Sequence, residues 1–278
     1  MRAAVLGSPI EHSLSPTLHT AAYAALGLED RWHYERFECD EDGLARFLDG
    51  CDASWAGLSL TMPLKRVAMA LADDLAEPVT EVGGANTIVF QDGRRHAYNT
   101  DVAGIVRALG EAGISRVDSA TVVGGGATAA SALAALRALG ATEPGAITVL
   151  ARDPARAAPV AEAAARMGLR IGVEPLRDIK SHLDTDLVAS TVPRGAADPY
   201  TAELVASRAA LFDVSYGPEP SVPADAVAAA GRTVVEGFPM LLHQAGRQVE
   251  LMTGVAQAPI EVMRAAGEAE LRRRTGAG

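Results

Sequence analysis

Two α/β domains are predicted, on three observations. Short apolar runs alternate with stretches of helical periodicity along all 278 residues. The texture changes near residue 102, from strands punctuated by polar turns to Ala- and Gly-rich segments. A glycine turn, VVGGGATAA, stands directly between a strand and a helix. The first domain is placed at 1–101 and is completed by helices from 238–278 that pack back on it. The second occupies 102–237, with a cleft expected between the two.

In the first domain, RAAVL (2–6) reads as a strand. Residues 16–26 read as a helix with Pro16 in its first turn, where a missing N–H costs nothing. WHYERF (32–37) alternates like a strand, 42–49 follows as a helix, and WAGLSL (55–60) is another strand. NTIVFQDGRRHAYNT reads as a hairpin turning at Asp92-Gly93. In the second domain, SATVVGGGATAASALAALRALG is a strand, a glycine turn and a long Ala/Leu helix, and AITVLARDPARA is the next strand and helix. Apolar runs at 170–173, 186–190, 210–214 and 233–235 read as further strands of one parallel sheet. Helical stretches at 240–252 and 258–274 follow Phe238-Pro239, and the Arg272–Arg274 run reads as a solvated helix end.

Composition narrows the function. With 49% hydrophobic residues the chain can bury a substantial core, whereas aromatics at 4% leave little to stack on bases. A net charge of −10 lacks the basic face that a nucleic acid demands, so no such partner is expected. A small anion remains compatible, because a few local donors override the overall sign. Cys39 and Cys51 are too few for a disulfide framework or a thiolate metal site, and no histidine pair has ligand spacing; no metal is expected. MRAAVLG is too short for a signal peptide and no apolar run reaches membrane-spanning length. A soluble cytoplasmic protein without a membrane partner is expected.

The turn carries Gly124, Gly126 and Ala129 in the spacing G-x-G-x-x-A. Glycine first makes the turn, glycine second lets backbone approach a pyrophosphate, and the small third residue lets helix and strand pack. The helix start then offers unpaired N–H groups to phosphates. The next strand ends in Ala151-Arg152-Asp153. A carboxylate there suits the ribose hydroxyls of NAD, and an arginine suits the 2′-phosphate of NADP. Arg152 and Arg156, on one helical face if the helix starts at Pro154, fork a phosphate, while Asp153 serves as a helix cap. NADP is favoured, and NAD remains possible.

Four polar motifs end apolar runs in the first domain: Ser13/Ser15, LTMPLK (60–65), GGANT (83–87) and NTD (99–101). Strand ends of this kind converge on crevices in open α/β folds. Reduction of a ketone by hydride transfer needs a proton donor at the carbonyl oxygen, a role open to Lys65 with Asp101 as its charge partner. Asn86, Thr61 and the serine hydroxyls supply neutral hydrogen bonds to a polyhydroxylated acid. Each residue also has a structural reading: Lys65 as a solvated helix start, Asp101 as an N-cap, Asn86 as a turn residue. His12 and His19 read as surface or packing residues.

Together these motifs resemble the shikimate dehydrogenase family across nearly the whole chain and in the same order. GSPIEHSLSPTLH resembles its G-x-P-I-x-H-S-x-S-P signature, which implies that Ser13 and Ser15 bind the substrate carboxylate. LTMPLK resembles V-T-x-P-x-K, implying a catalytic Lys65 and Thr61 as a substrate ligand. GGANT and NTD imply Asn86 as a ligand and Asp101 as the catalytic partner of the lysine. DVSYGP resembles D-x-x-Y-x-P and places Tyr216 near nicotinamide and substrate. GFPMLLHQA resembles G-x-x-M-L-x-x-Q-A, which brings Gln244 to the substrate and Gly237 and Met240 to the nicotinamide. The cofactor loop becomes Gly124, Gly125, Gly126 and Ala127, with Arg152 and Arg156 selecting NADP.

The resemblance implies a Rossmann-like second domain and reversible NADP-dependent reduction of 3-dehydroshikimate to shikimate, in the chorismate route to aromatic amino acids. A monomer or homodimer is expected. The chain departs from the pattern in four places. Ser59 stands where the family usually has Asn, the G-A-G-G run is absent, Asp153 replaces a threonine, and Ala189-Ser190-Thr191-Val192 replaces N-A-T-S. A quinate/shikimate or aminoshikimate dehydrogenase using NAD is the nearest alternative. A non-catalytic sensor on the same fold is the remote one, expected to lose the Lys65–Asp101 pair. For Ser13 and Ser15 the spacing of two predicts an extended backbone with both hydroxyls on one side, two neutral donors for one carboxylate.

Overall fold

Strand β1 (Arg2–Gly7) is buried from Ala3 to Gly7, as a strand covered on both faces must be. In the computed structural model, which describes residues 1–276, it is followed by α1 (Ser15–Ala25), β2 (His33–Glu38), α2 (Glu41–Asp49) and β3 (Trp55–Leu60). Then come α3 (Val67–Ala70), β4 (Asp74–Leu75), α4 (Glu77–Val82), β5 (Thr87–Gln91) and β6 (Arg94–Tyr98). The strands form one sheet in the order β2-β1-β3-β5-β6-β4. Strands β2 and β3 run parallel to β1, whereas β5 is antiparallel to both β3 and β6. The ends of β1, β3 and β6 and the start of β5 therefore meet at one edge. The β5–β6 hairpin turns at Asp92 and Gly93, both at positive φ (52° and 73°), as a two-residue primed turn requires.

Period-two alternation divides the core of this sheet. Ala4, Leu6, Leu58, Leu60 and Ile88 pack with Leu44, Leu48 and Val79 of α2 and α4. Ala3, Val5, Ala56 and Val89 face the other side, with Tyr23, Tyr34 and Met252. Each fully buried leucine contributes roughly 1.5–3 kcal/mol. Helix α2 begins where the Asp40 carboxylate accepts the Gly43 N–H at 2.9 Å, a cap worth about 1 kcal/mol.

The chain continues with α5 (Asp101–Glu111), β7 (Ala120–Val123), α6 (Ala127–Ala138), β8 (Ile147–Ala151), α7 (Ala158–Arg166), β9 (Gly172–Pro175) and β10 (Leu187–Ser190). It ends with α8 (Thr201–Ala206), β11 (Ala210–Asp213), α9 (Val222–Ala229), β12 (Val234–Val235), α10 (Gly237–Thr253) and α11 (Ile260–Thr275). Two compact units result: Met1–Thr100 with Leu242–Gly278, and Asp101–Leu241. The second unit holds an all-parallel sheet in the order β12-β11-β10-β7-β8-β9. That is the doubly wound dinucleotide-binding order, with its switch point between β7 and β10. Its core joins Val123, Leu150, Val188 and Leu211 to Ile179, Leu204 and Val227.

The predicted strand at 170–173 lies at 172–175, and α3, β4, α4, α8 and α9 were not anticipated. They run from two to eight residues, too short for apolar periodicity to emerge. The Arg272–Arg274 run is more than a solvated end. Arg273 and Arg274 both bond Glu270, and Arg274 also donates to the carbonyl of His12 at 2.7 Å. Packing of α11 along α1 makes that reach possible. Among the described residues no helix is long and apolar enough to cross a membrane.

Candidate active site

The polar motifs of the first unit are tied together through the backbone at the shared sheet edge. Thr61 N–H bonds Leu6 O at 2.9 Å, and Ser8 N–H bonds Met62 O at 2.9 Å, joining the loop after β1 to the loop after β3. Gly7 is needed for that approach, since a Cβ there would run into the Thr61 methyl and lie 2.9 Å from Met62 O. The Ala85 N–H bonds Lys65 O at 2.7 Å, and Asn86 exchanges backbone bonds with Leu60 and Tyr98. Lys65, half-buried, sits in the turn between β3 and α3 instead of starting a helix. Thr61 is likewise half-buried.

Asn86 is 2% exposed and is no simple turn residue. Its Oδ1 accepts the Thr100 N–H at 2.8 Å, and its Nδ2 donates to Thr100 Oγ1 at 2.9 Å and to Gln244 Oε1 at 3.4 Å. Three segments distant in sequence thus deliver Asn86, Thr100 and Gln244 to one spot. Asp101, 4% exposed, follows Thr100 directly and is the first residue of α5, one position inside the predicted cap.

The serine loop corrects an expectation. Residues 13–15 are not extended: Leu14 is helical (φ −88°, ψ −6°) and α1 begins at Ser15. Ser13 N–H bonds Ile10 O, and Ser13 Oγ accepts the Ser15 N–H at 3.2 Å. The unpaired N–H groups of a helix start need acceptors, and that demand outweighs the extended conformation. Both serines are buried, at 6% and 4% exposure. The loop is clipped from outside by Ser8 to Glu38, Arg36 to Glu11 O and Arg274 to His12 O. His12 itself is exposed.

Beneath these groups lies a buried set that the sequence reading did not single out: Tyr34, Thr87, Thr100 and Gln248. His19, read only as a packing or surface residue, joins it. It stacks on Tyr34 with centroids 3.9 Å apart, and burial pushes its pKa down to about 3, so it is neutral. Burial also raises the Tyr34 phenol. Gln248 had a signal, being a polar residue four positions after Gln244 on an otherwise apolar helix face.

In the second unit, Gly124, Gly125 and Gly126 follow β7 and Ala127 opens α6. Gly124 has φ +123°, and a Cβ would strike Thr191 Oγ1. A Cβ on Gly126 would meet nothing within 4 Å, and no side chain caps the first turn of α6. An open, uncapped helix start beside a glycine turn fits a pyrophosphate. The segment after β8 differs from expectation. Residues 154–157 form a 3-10 turn and α7 starts only at Ala158, because Pro159 has no N–H to continue an α-helix from Ala155. Arg152 precedes that turn, so it and Arg156 do not share a helical face. Both are exposed, and they flank Asp153, whose Oδ1 accepts the Ala155 N–H at 3.1 Å. With that carboxylate serving as a cap, the donors left at the strand end suit the 2′-phosphate of NADP.

Tyr216, half-buried, lies in the loop after β11. Asp213 holds this loop through Ser215 and Ser221, and Ser215 O accepts the Gly237 N–H at 3.2 Å. Gly237 and Met240 are both buried in the first turns of α10.

Comparison with known proteins gives the family. Residues 5–88 match the shikimate dehydrogenase substrate binding domain, and residues 237–266 match the shikimate 5′-dehydrogenase C-terminal domain. The shikimate dehydrogenase (NADP(+)) of Methanosarcina acetivorans is 35% identical over 271 residues, covering 94% of this chain and 95% of its own. The solved structure of Mycobacterium tuberculosis shikimate dehydrogenase has a TM-score of 0.88 at 40% identity, covering 96% of this chain and 99% of its own. The Thermus thermophilus enzyme, solved in complex with NADP(H) and shikimate, has a TM-score of 0.82 at 30% identity, covering 97% of this chain and 99% of its own. This chain belongs to the shikimate dehydrogenase family.

Proposed function

We propose that the protein reduces 3-dehydroshikimate to shikimate, reversibly and with NADP(H), its site assembled from the residues described above. The observation that carries this reading is the gathering of Asn86, Thr100 and Gln244 at the sheet edge, with Lys65 bonded through Ala85 to the same loop. Residues 1–101 with 238–278 serve as the substrate domain, and 102–237 as the NADP-binding domain. NADPH, when bound, supplies the hydride. The backbone of Gly124, Gly125, Gly126 and Ala127 receives its pyrophosphate, Arg152 and Arg156 its 2′-phosphate, while Tyr216, Gly237 and Met240 border the nicotinamide.

Lys65 holds a proton for the alkoxide oxygen that forms as the ketone is reduced. Asp101 orients that ammonium and accepts from the neighbouring substrate hydroxyl. Thr61, Asn86 and Gln244 bond the remaining oxygens, and Ser13 and Ser15 hold the carboxylate, which lets an acidic protein bind an acid without an arginine. The protein works as a cytoplasmic monomer or homodimer. The test is kcat/KM for shikimate and quinate, each with NADP and NAD. Shikimate with NADP is expected to be highest; a quinate/NAD maximum would replace this reading with that of a quinate/shikimate dehydrogenase.

A further inference from the structure

Gln248 is 1% exposed, and its amide is pinned by a group whose polarity is not negotiable. Its Nε2 lies 3.3 Å from the backbone carbonyl of Asn86 and 3.0 Å from Thr87 Oγ1. A carbonyl only accepts, so the amide nitrogen faces that side and Oε1 faces Ser59 Oγ, at 2.8 Å, and His19 Nε2, at 3.4 Å. An amide oxygen also only accepts, so Ser59 and His19 both donate to it. Ser59 then accepts the Tyr34 O–H at 2.6 Å.

The other side runs toward the substrate ligands. Thr87 Oγ1 accepts from Gln248 and therefore donates to Asn86 Oδ1, at 2.9 Å. The Thr100 N–H, a fixed donor, reaches the same oxygen at 2.8 Å. The Asn86 amide nitrogen therefore faces Thr100 Oγ1 and Gln244 Oε1, and Gln244, which accepts from it, is turned with its own oxygen inward.

We propose that Gln248 is a positioning residue that sets the donor and acceptor polarity of the substrate-binding groups Asn86 and Gln244, a role that rests on the functional reading above. Gln248 also completes what Ser59 is too short to do. The shorter side chain at 59 meets a Gln on α10 instead of spanning the gap itself.

Two variants test this. Gln248→Met removes both polar ends at similar volume and is expected to raise KM for shikimate about tenfold, the effect of stranding buried partners, with kcat changed less than twofold. Gln248→Glu keeps one donor and one acceptor while protonated and becomes acceptor-only when ionised. The titratable groups with bonds or ring contacts at this spot are His19, Tyr34 and, behind them, Tyr23. The ratio of its KM to that of the unmodified protein is therefore expected to climb as pH rises through the titration of the new carboxyl, a readout that a merely structural role would not move. A Gln248→Met KM within twofold, or a Gln248→Glu ratio flat with pH, overturns the proposal. If Gln248→Met does not fold, the Gln248→Glu profile decides alone. Failure of the unmodified protein to oxidise shikimate would instead sink the functional reading, so the two failures are distinct.

Discussion

In the second unit the groups proposed to face a ligand are mostly backbone atoms at the ends of adjacent parallel strands, exposed by glycines and an uncapped helix. In the first unit they are mostly side chains, and Asn86 and Gln244 among them are tied by buried hydrogen bonds to Thr87, Thr100 and Gln248. A backbone cradle tolerates change in most side chains and fails when a Cβ enters it. A wired polar set tolerates shape but depends on each donor having its acceptor, because a stranded buried partner costs about 1–3 kcal/mol.

Lys65→Ala is expected to give the largest effect, cutting kcat by about 10²- to 10⁴-fold with little change in shikimate affinity. Unchanged turnover would remove the lysine from the chemistry and leave the first unit a binding site only. Next comes Gly124→Val, which forces a β-branched residue to φ +123° against Thr191. NADP affinity is expected to fall about 10- to 100-fold while shikimate binding, followed by calorimetry, stays within twofold. Equal loss of both ligands would dissolve the contrast between the units.

The smallest effect concerns the clip on the serine loop. Arg273 and Arg274 hold the Glu270 carboxyl down at about 2, below its ordinary 4.5. Its unfolded form takes up a proton first as pH falls. The pair therefore stabilises the protein above about pH 4.5 and loses that contribution as pH drops toward 2. Glu270→Gln should flatten this part of the stability curve in urea titrations. An unaltered acid limb would show that the clip contributes nothing to the fold.

The glycine turn was legible because its chemistry is local: strand, G-x-G-x-x-A and helix are consecutive, and steric rules at Gly124 follow from the chain itself. The four polar motifs were legible as motifs, although GGANT opens strand β5 where the sequence reading had each motif end an apolar run. Tyr34, Thr87, Thr100 and Gln248 were not singled out, since what makes them matter is a partner far away; Ser59 and Gln248 are 189 positions apart. The serine loop misled for the opposite reason. Alternation over three residues suggested an extended strand, but the helix beginning at Ser15 needed an acceptor, and Ser13 became one. Two arginines four apart suggested one helical face until Pro159 delayed the helix.

Periodicity, turn chemistry and short motifs are properties of neighbouring residues, so the amino-acid order alone determined the α/β class, the hairpin at Asp92-Gly93, the glycine turn and the identity of the polar motifs. Which hydroxyl donates, which amide face turns toward a ligand, and which arginine closes a loop were decided only by the tertiary structure. A hydrogen bond acquires its direction from both partners, and here those partners are brought together by the sheet edge and by α10, not by the sequence between them.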